Sequence, residues 1–181
     1  MSSHFLTDSH IGIIGLIAII LVWFIFFRKQ KFNRHRHNRK KSRKILAKIR
    51  TFSFDGQRIA YLRKIDPFVF EELLLDAFED NGFTVQRNKR YTGDGGIDGI
   101  VCKNNVRYLI QAKRYKGYVN MKDVEDFALL AQRLQCVGFF CHTGKTGAKS
   151  KETTEKHMSV KIVSGNSLIR LLLEAGKGTT I

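Results

Sequence analysis

The stretch that decides the fold is YTGDGGIDGIVCKNNVRYLIQAKRY, Tyr91 to Tyr115. Two apolar runs, 97–102 and 106–112, flank Lys103-Asn104-Asn105. Asparagine tolerates positive φ, so Asn104-Asn105 suits a tight two-residue hairpin turn. That turn sets a register in which Cys102 faces Arg107, Ile100 faces Leu109 and Asp98 faces Gln111. Facing Cβ atoms lie ~4.5–5.5 Å apart and diagonal ones ~7–8 Å. Lys113 is the diagonal neighbour of Asp98, so Asp98, Gln111 and Lys113 converge on one face at the end of the hairpin. A loop one residue longer or shorter would break this register. The other face of the second strand carries Val106, Tyr108, Ile110 and Ala112, an apolar row fit to pack on a core. Beside the polar trio, Gly93, Gly95 and Gly96 let a backbone or a phosphate approach closely.

A fourth group comes from DPFVFEELLLDAFEDNGF, residues 66–83, which reads as a helix. Asp66 is its N-cap, Pro67 its first residue, and Gly82 its stop. At about 100° per residue Glu71 falls among Leu74, Leu75 and Phe78, whereas Glu72 falls with Asp76 and Glu79 on the polar face. Glu72 needs no special explanation. A carboxylate on an apolar face needs a partner. A salt bridge to a lysine is one reading of Glu71, and a metal shared with Asp98 is the other. Two carboxylates, a carbonyl oxygen and waters suit Mg²⁺. A lysine beside such a metal can orient the attacking hydroxide and stabilise charge on a phosphorane. That is the equipment for phosphodiester hydrolysis.

Around these two elements the chain reads as α-β-β-β-α-β-α-β-α, with no internal repeat. Residues 51–65 form a connector ending in a short helix. FTVQRN is a strand, NMKDVEDFALLAQRL a helix capped by Asn120, and CVGFFC a buried strand. Residues 147–157 are helical, VKIV is a strand, and 166–175 form the last helix. The order predicts an α/β sandwich around a mixed sheet, with a leading hairpin and later parallel strands. Phe127, Leu129, Leu130 and Leu134 are expected as core positions.

Ahead of this domain the composition changes. The chain carries 32 Lys and Arg against 16 Asp and Glu, a net charge of +16. Residues 28–50 alone hold twelve Lys/Arg and no acid, while 1–27 hold only Asp8. Residues 11–27, IGIIGLIAIILVWFIFF, are uncharged and nearly all apolar. As a helix they reach ~25 Å, a little short of a ~30 Å bilayer core, and snorkelling of Arg28 and Lys29 closes the gap. The rivals are a buried core helix and a cleaved signal. The signal is disfavoured because residues 1–10 hold no Lys or Arg. A transmembrane anchor is therefore expected, with 1–10 outside and the chain from 28 onward in the cytoplasm. The basic segment is expected as part of a linker, 28–65, lying on anionic lipid, with a nucleic-acid-binding arm as the alternative. Three cysteines, with no CxxC pair, argue for free thiols in a reducing compartment.

FEELLLDAFEDNGF, GDGGIDGIV, YLIQAKRY and VGFFCHTG, in that order, resemble the Mrr-like catalytic domain of type IV restriction endonucleases, within the PD-(D/E)xK nuclease superfamily. The resemblance covers about residues 66–175. It implies a restriction-endonuclease-like fold, here over 66–181, and Mg²⁺-dependent cleavage of DNA, with Mn²⁺ as a substitute metal. Asp98 would be the metal-binding aspartate, Lys113 the catalytic lysine, and Glu71 the helix glutamate. Gln111 stands where many relatives have Glu, which moves metal binding toward Glu71 and Asp98. Asp94 reads as a loop residue. Arg114, Lys116 and Lys145 are the expected DNA contacts. Relatives often carry a separate DNA-recognition domain, whereas here an anchor and a basic linker take its place, which removes the basis for expecting a preference for modified DNA. The expected protein is a DNA endonuclease held at the cell inner membrane by a single pass. Cutting both strands would need two sites, hence a homodimer. Two alternatives remain: a weak or inactive nuclease fold serving as a DNA-binding accessory, and a structure-selective, junction-type nuclease. GFFCHTGKT, Gly138 to Thr146, imitates a Walker A loop but has five residues between its glycines where four are needed. His142 beside Cys141 lacks partners for zinc, so a structural role is expected.

Overall fold

The computed structural model describes the backbone of residues 4–88 and 96–174, and the side chains of 15–25, 34–88 and 96–174. The chain forms two compact units, 1–37 and 38–181. In the first unit the backbone is helical from His4, the start of α1 (His4–Arg50). Within it the residues Gly15 to Ile25 are all exposed. Among the described residues no helix is long and apolar enough to cross a membrane. The side chains of 11–14 and 26–27, the two ends of the expected span, lie outside the described residues.

The second unit holds a five-stranded sheet in the order β1-β2-β3-β4-β5. Its strands are β1 (Thr84–Arg87), β2 (Gly99–Lys103), β3 (Val106–Lys113), β4 (Val137–His142) and β5 (Val160–Val163). The first three pair antiparallel, and β3, β4 and β5 run parallel. Helices α2 (Asp55–Leu62), α3 (Pro67–Asp80), α4 (Met121–Arg133), α5 (Ala148–Lys156) and α6 (Gly165–Leu173) complete it. The mixed sheet and the element order from α3 onward agree with the expected α/β sandwich of restriction-endonuclease type.

Local signals account for the element ends. The Asp66 carboxylate accepts from the amides of Phe68 (2.9 Å) and Val69 (3.2 Å), with Pro67 in the first turn. Such a cap supplies the acceptor for N–H donors that a helix start leaves without partners. Gly82, at φ 83°, follows the C-cap Asn81. Asn120 caps α4 through the Lys122 amide (3.1 Å), and Ser164 and Ser167 form a reciprocal capping box at α6.

Strand alternation splits the core in two. Val101, Ile110, Phe139, Cys141 and Val163 face one way, against α3, α6 and the end of α1. Leu109, Phe140 and Val160 face the other, against Val124, Phe127, Ala128 and Ala131 of α4. Leu129 and Leu134, expected in the core, are instead 47% and 46% exposed. The small residues Ala128 and Ala131 bring α4 close to the sheet, and its buried stripe is narrower than its apolar content suggests.

The segment read as a basic linker is structured differently. Asn38 to Arg50 is helical, and Ile45, Leu46 and Ile49 are buried in the core beside α3. Three arginines of this segment are ion-paired with the acids of α3. Arg39 and Arg43 reach Asp76 (3.3 and 3.2 Å) and Glu79 (2.7 and 2.9 Å). Arg43 and Arg50 reach Asp80 (2.5 and 3.6 Å), and the Ser42 hydroxyl donates to Asp76. From the far side Arg87 of β1 meets Glu72 (3.1 Å) and Asp76 (2.7 Å). The face of α3 read as solvent-facing is thus buried, with Glu72 at 2% and Asp76 at 0% exposure.

Candidate active site

The hairpin is built as its turn requires. Asn104 and Asn105 take φ of 51° and 62°, the conformation of a tight hairpin turn whose twist matches the strands. The register follows: Cys102 pairs with Arg107, Ile100 with Leu109, and Gly99 with Ile110. At Asp98 the ladder changes. The Asp98 amide donates to the Ile110 carbonyl (2.8 Å), and its carboxylate accepts from the Ala112 amide (2.6 Å). Asp98 therefore grips the two residues flanking Gln111, which fixes its side chain beside that position.

Glu71 reaches the same place because α3 lies directly on the start of β2. A Cβ on Gly99 would fall 2.7 Å from Leu75 Cδ2, so any larger residue there would have to push Leu75 aside. Leu75 is one helical turn after Glu71, and residues four apart share a face. The helix thus delivers Glu71 next to Asp98. The electrostatics agree with this placement. The Glu71 carboxyl is pushed up to about 8, first by burial, then by the negative charges of Asp98, Glu72 and Asp66, with Lys113 pulling the other way. Among the described residues Glu71 has no ion-pair partner, so the salt-bridge reading is not what the structure presents. Burial and Asp98 also raise the Cys141 thiol, which is inert in the core.

Gln111 is buried, at 7% exposure, and its Oε1 has no hydrogen-bond partner among the described residues. Buried polar atoms are nearly always satisfied, so an orphaned acceptor points to a missing donor or cation. Lys113 ends β3, paired alongside His142 of β4. The structure thus brings Glu71, Asp98, Gln111 and Lys113 together. Asp94 and the rest of 89–95 lie outside the described residues. Among the described residues no three His, Cys, Asp or Glu side chains form a metal-binding group. The donor set read from the sequence has two carboxylates and an amide oxygen.

The expected DNA contacts divide. Lys116 and Lys145 are exposed. Arg114 is half-buried and donates to the Arg63 carbonyl (3.1 Å). Arg63 in turn donates twice to the Thr143 carbonyl (2.9 and 2.8 Å), and the Thr143 hydroxyl bonds the Tyr115 amide and carbonyl (3.1 and 3.0 Å). This closed ring braces the chain just beyond Lys113. Sequence reading gave Arg63 no role, because its partner is a backbone carbonyl 80 residues away, and the bracing role of the Thr143 hydroxyl depends on backbone atoms 28 residues away. His142 is buried, its pKa lowered to about 4 by desolvation. It accepts the Gly144 amide on Nδ1 (3.2 Å) and meets the Thr146 hydroxyl at Nε2 (3.2 Å). It is a structural histidine, and Gly138 sits inside β4 rather than in a phosphate loop.

Comparison with known proteins places the chain in a family. The type IV methyl-directed restriction enzyme EcoKMrr of Escherichia coli (strain K12) is 27% identical over 128 residues. The match covers 66% of this chain and 42% of that enzyme, so the chain spans less than half of its relative. No solved structure matches the chain significantly. The Mrr catalytic family of restriction endonucleases matches residues 62–172, a span that contains all four residues of the site. The chain belongs to this restriction endonuclease family.

Proposed function

We propose that the protein is a membrane-anchored, Mg²⁺-dependent DNA endonuclease that hydrolyses phosphodiester bonds in restriction or DNA processing. The observation that carries it is the orphaned Gln111 Oε1, together with a Glu71 carboxyl pushed up to about 8 by burial and then by the charge of Asp98. A divalent cation would relieve both, and the oxygen donors suit Mg²⁺ or Mn²⁺. Asp98, Glu71 and Gln111 would hold it. When bound, the metal polarises the phosphate and activates water. The Lys113 ammonium orients the attacking oxygen and stabilises charge on the phosphate, while the Asp98 grip on Ala112 keeps the site in register. Lys116 and Lys145 would meet flanking phosphates.

The anchor rests on Leu16 to Ile25, where the large apolar side chains are 51–68% exposed. Such a surface is unusual in water, and the apolar sequence runs on to both sides of it. With the charge asymmetry around it, this supports a single pass in the inner membrane with the nuclease in the cytoplasm. The basic residues of 28–50 that α3 does not neutralise would face anionic lipid. A homodimer would supply the second site needed to cut both strands.

The test is cleavage of plasmid DNA by the full chain in detergent. Nicking or linearisation should require Mg²⁺ or Mn²⁺, stop with EDTA, and fall at least ~100-fold in Asp98→Ala and Lys113→Ala. Binding without cleavage, unchanged in Lys113→Ala, would instead support the accessory reading, which the missing charge at Gln111 favours.

A further inference from the structure

The edge that carries Lys113 also carries a second structure. Strands β3 and β4 are parallel and end side by side, so the loops leaving them emerge at the edge that carries Lys113. These loops are zipped together. The Lys145 amide donates to the Gly117 carbonyl (2.9 Å) and the Val119 amide to the Lys145 carbonyl (3.0 Å), with Tyr118 bridged to Lys145. A Cβ on Gly144 would fall 2.6 Å from the Gly117 carbonyl oxygen, so this approach of two backbones requires glycine there. The base of the zip is fixed by Thr143 on the Tyr115 backbone and by the Tyr115 hydroxyl, which donates to Asp123 at the start of α4.

On this braced support stands Tyr118, 69% exposed. Its ring is approached by the Lys145 ammonium, 5.9 Å from the centroid. Lys116 and Lys145 are exposed on the same two loops, and neither 114–122 nor 143–151 contains an acid. A lone exposed tyrosine needs no explanation. Here, however, the aromatic ring stands on a braced backbone with a lysine ammonium beside it, at the edge where the reacting phosphate would lie. Base stacking on an aromatic ring combined with cations for the backbone is how single-stranded nucleic acid is held.

We infer that Tyr118 is a stacking contact for an unpaired base of the DNA, with Lys116 and Lys145 on the adjoining phosphates. This rests on the nuclease reading and narrows its substrate to DNA with a single-stranded or unstacked nucleotide next to the cleaved bond. The test uses full-length Asp98→Ala protein in detergent, which retains the platform but does not cut. One probe is a duplex with a short single-stranded gap carrying 2-aminopurine, and the other is the fully paired duplex. The gapped probe should bind more tightly, with quenched 2-aminopurine fluorescence. Adding Tyr118→Ala should weaken gapped binding about 10-fold and abolish the quench, with paired-duplex binding changed less than about 2-fold. Tyr118→Phe and Tyr118→Trp should keep both. Equal binding of the two probes without quench, in a protein whose wild type cuts plasmid, would overturn this inference alone. So would a Tyr118→Ala protein that still binds the gapped probe and quenches it, or Phe and Trp variants that fail as Ala does. A protein that binds neither probe and cuts no plasmid would overturn the nuclease reading together with it.

Discussion

Glu71 holds its proton at neutral pH because burial and Asp98 both oppose its charge. In the unfolded chain it titrates as an ordinary carboxyl near 4.5. Between that value and about 8 the folded state therefore binds the extra proton. Stability without metal then falls as pH rises through this window. Removing the charge should remove the slope. In EDTA, wild type should lose a few degrees of melting temperature between pH 5 and pH 8.5, and Glu71→Gln should lose less. Thermal unfolding at the two pH values checks this, and parallel losses in both proteins would show that Glu71 is not the titrating group. Under the proposed metal-dependent reading, Mg²⁺ at Glu71 would displace the same proton, so cleavage at low Mg²⁺ should rise with pH through about 8. Much of this site could be read from the sequence. Asp98, Gln111 and Lys113 are placed by a two-residue turn, and Glu71 by helical periodicity, and both rules act over a few residues. The departure of Asp98 from the regular ladder could not be read, because it depends on which backbone atoms its carboxylate finds.

At the scale of elements the central contact is α3, clasped by α1 on one side and β1 on the other. Its acids at 72, 76, 79 and 80 look like a solvated stripe until the helix that covers them is known. The matching stripe was present, since Arg39, Arg43 and Arg50 recur on one face of α1. It is obscured because twelve of the 23 residues in 28–50 are basic, and such density reads as a surface. Pairing across some 37 residues is also beyond any local rule. The ion pairs are unequal. Arg39 is 46% exposed and can turn to water, whereas Arg87 is 19% exposed and faces two carboxylates at 2% and 0%. Arg39→Ala should therefore cost less than ~1 kcal/mol. Arg87→Ala leaves Glu72 without its guanidinium and weakens the support of Asp76, so it should cost about 3 kcal/mol or more. Urea unfolding midpoints give both values, and a larger loss for Arg39→Ala would show that exposure does not rank these pairs.

For the whole molecule, the boundary of the catalytic unit lies at residue 38 rather than after the basic segment. The family match begins at residue 62, but the core does not. Ile45, Leu46 and Ile49 are at most 6% exposed and lie in one cluster with α3 and α6. Burying each contributes roughly 1.5–3 kcal/mol. Together they approach the ~5–15 kcal/mol by which an ordinary domain is stable. The arginines of the same segment also pair with the buried Asp76, and the Ser42 hydroxyl donates to it. A chain cut at residue 51 loses these three side chains from the cluster they share with α3 and α6. It also leaves Asp76 with Arg87 alone. A chain beginning at Asn38 keeps all of these contacts and lacks the long apolar run. Residues 38–181 should therefore be soluble without detergent, unfold cooperatively in urea, and cleave DNA with Mg²⁺. Residues 51–181 should aggregate or show a broad transition, with weak near-ultraviolet circular dichroism and no cleavage. A well-folded, active 51–181 fragment would mean that the end of α1 only rests on the domain, and that the acidic face of α3 tolerates water after all.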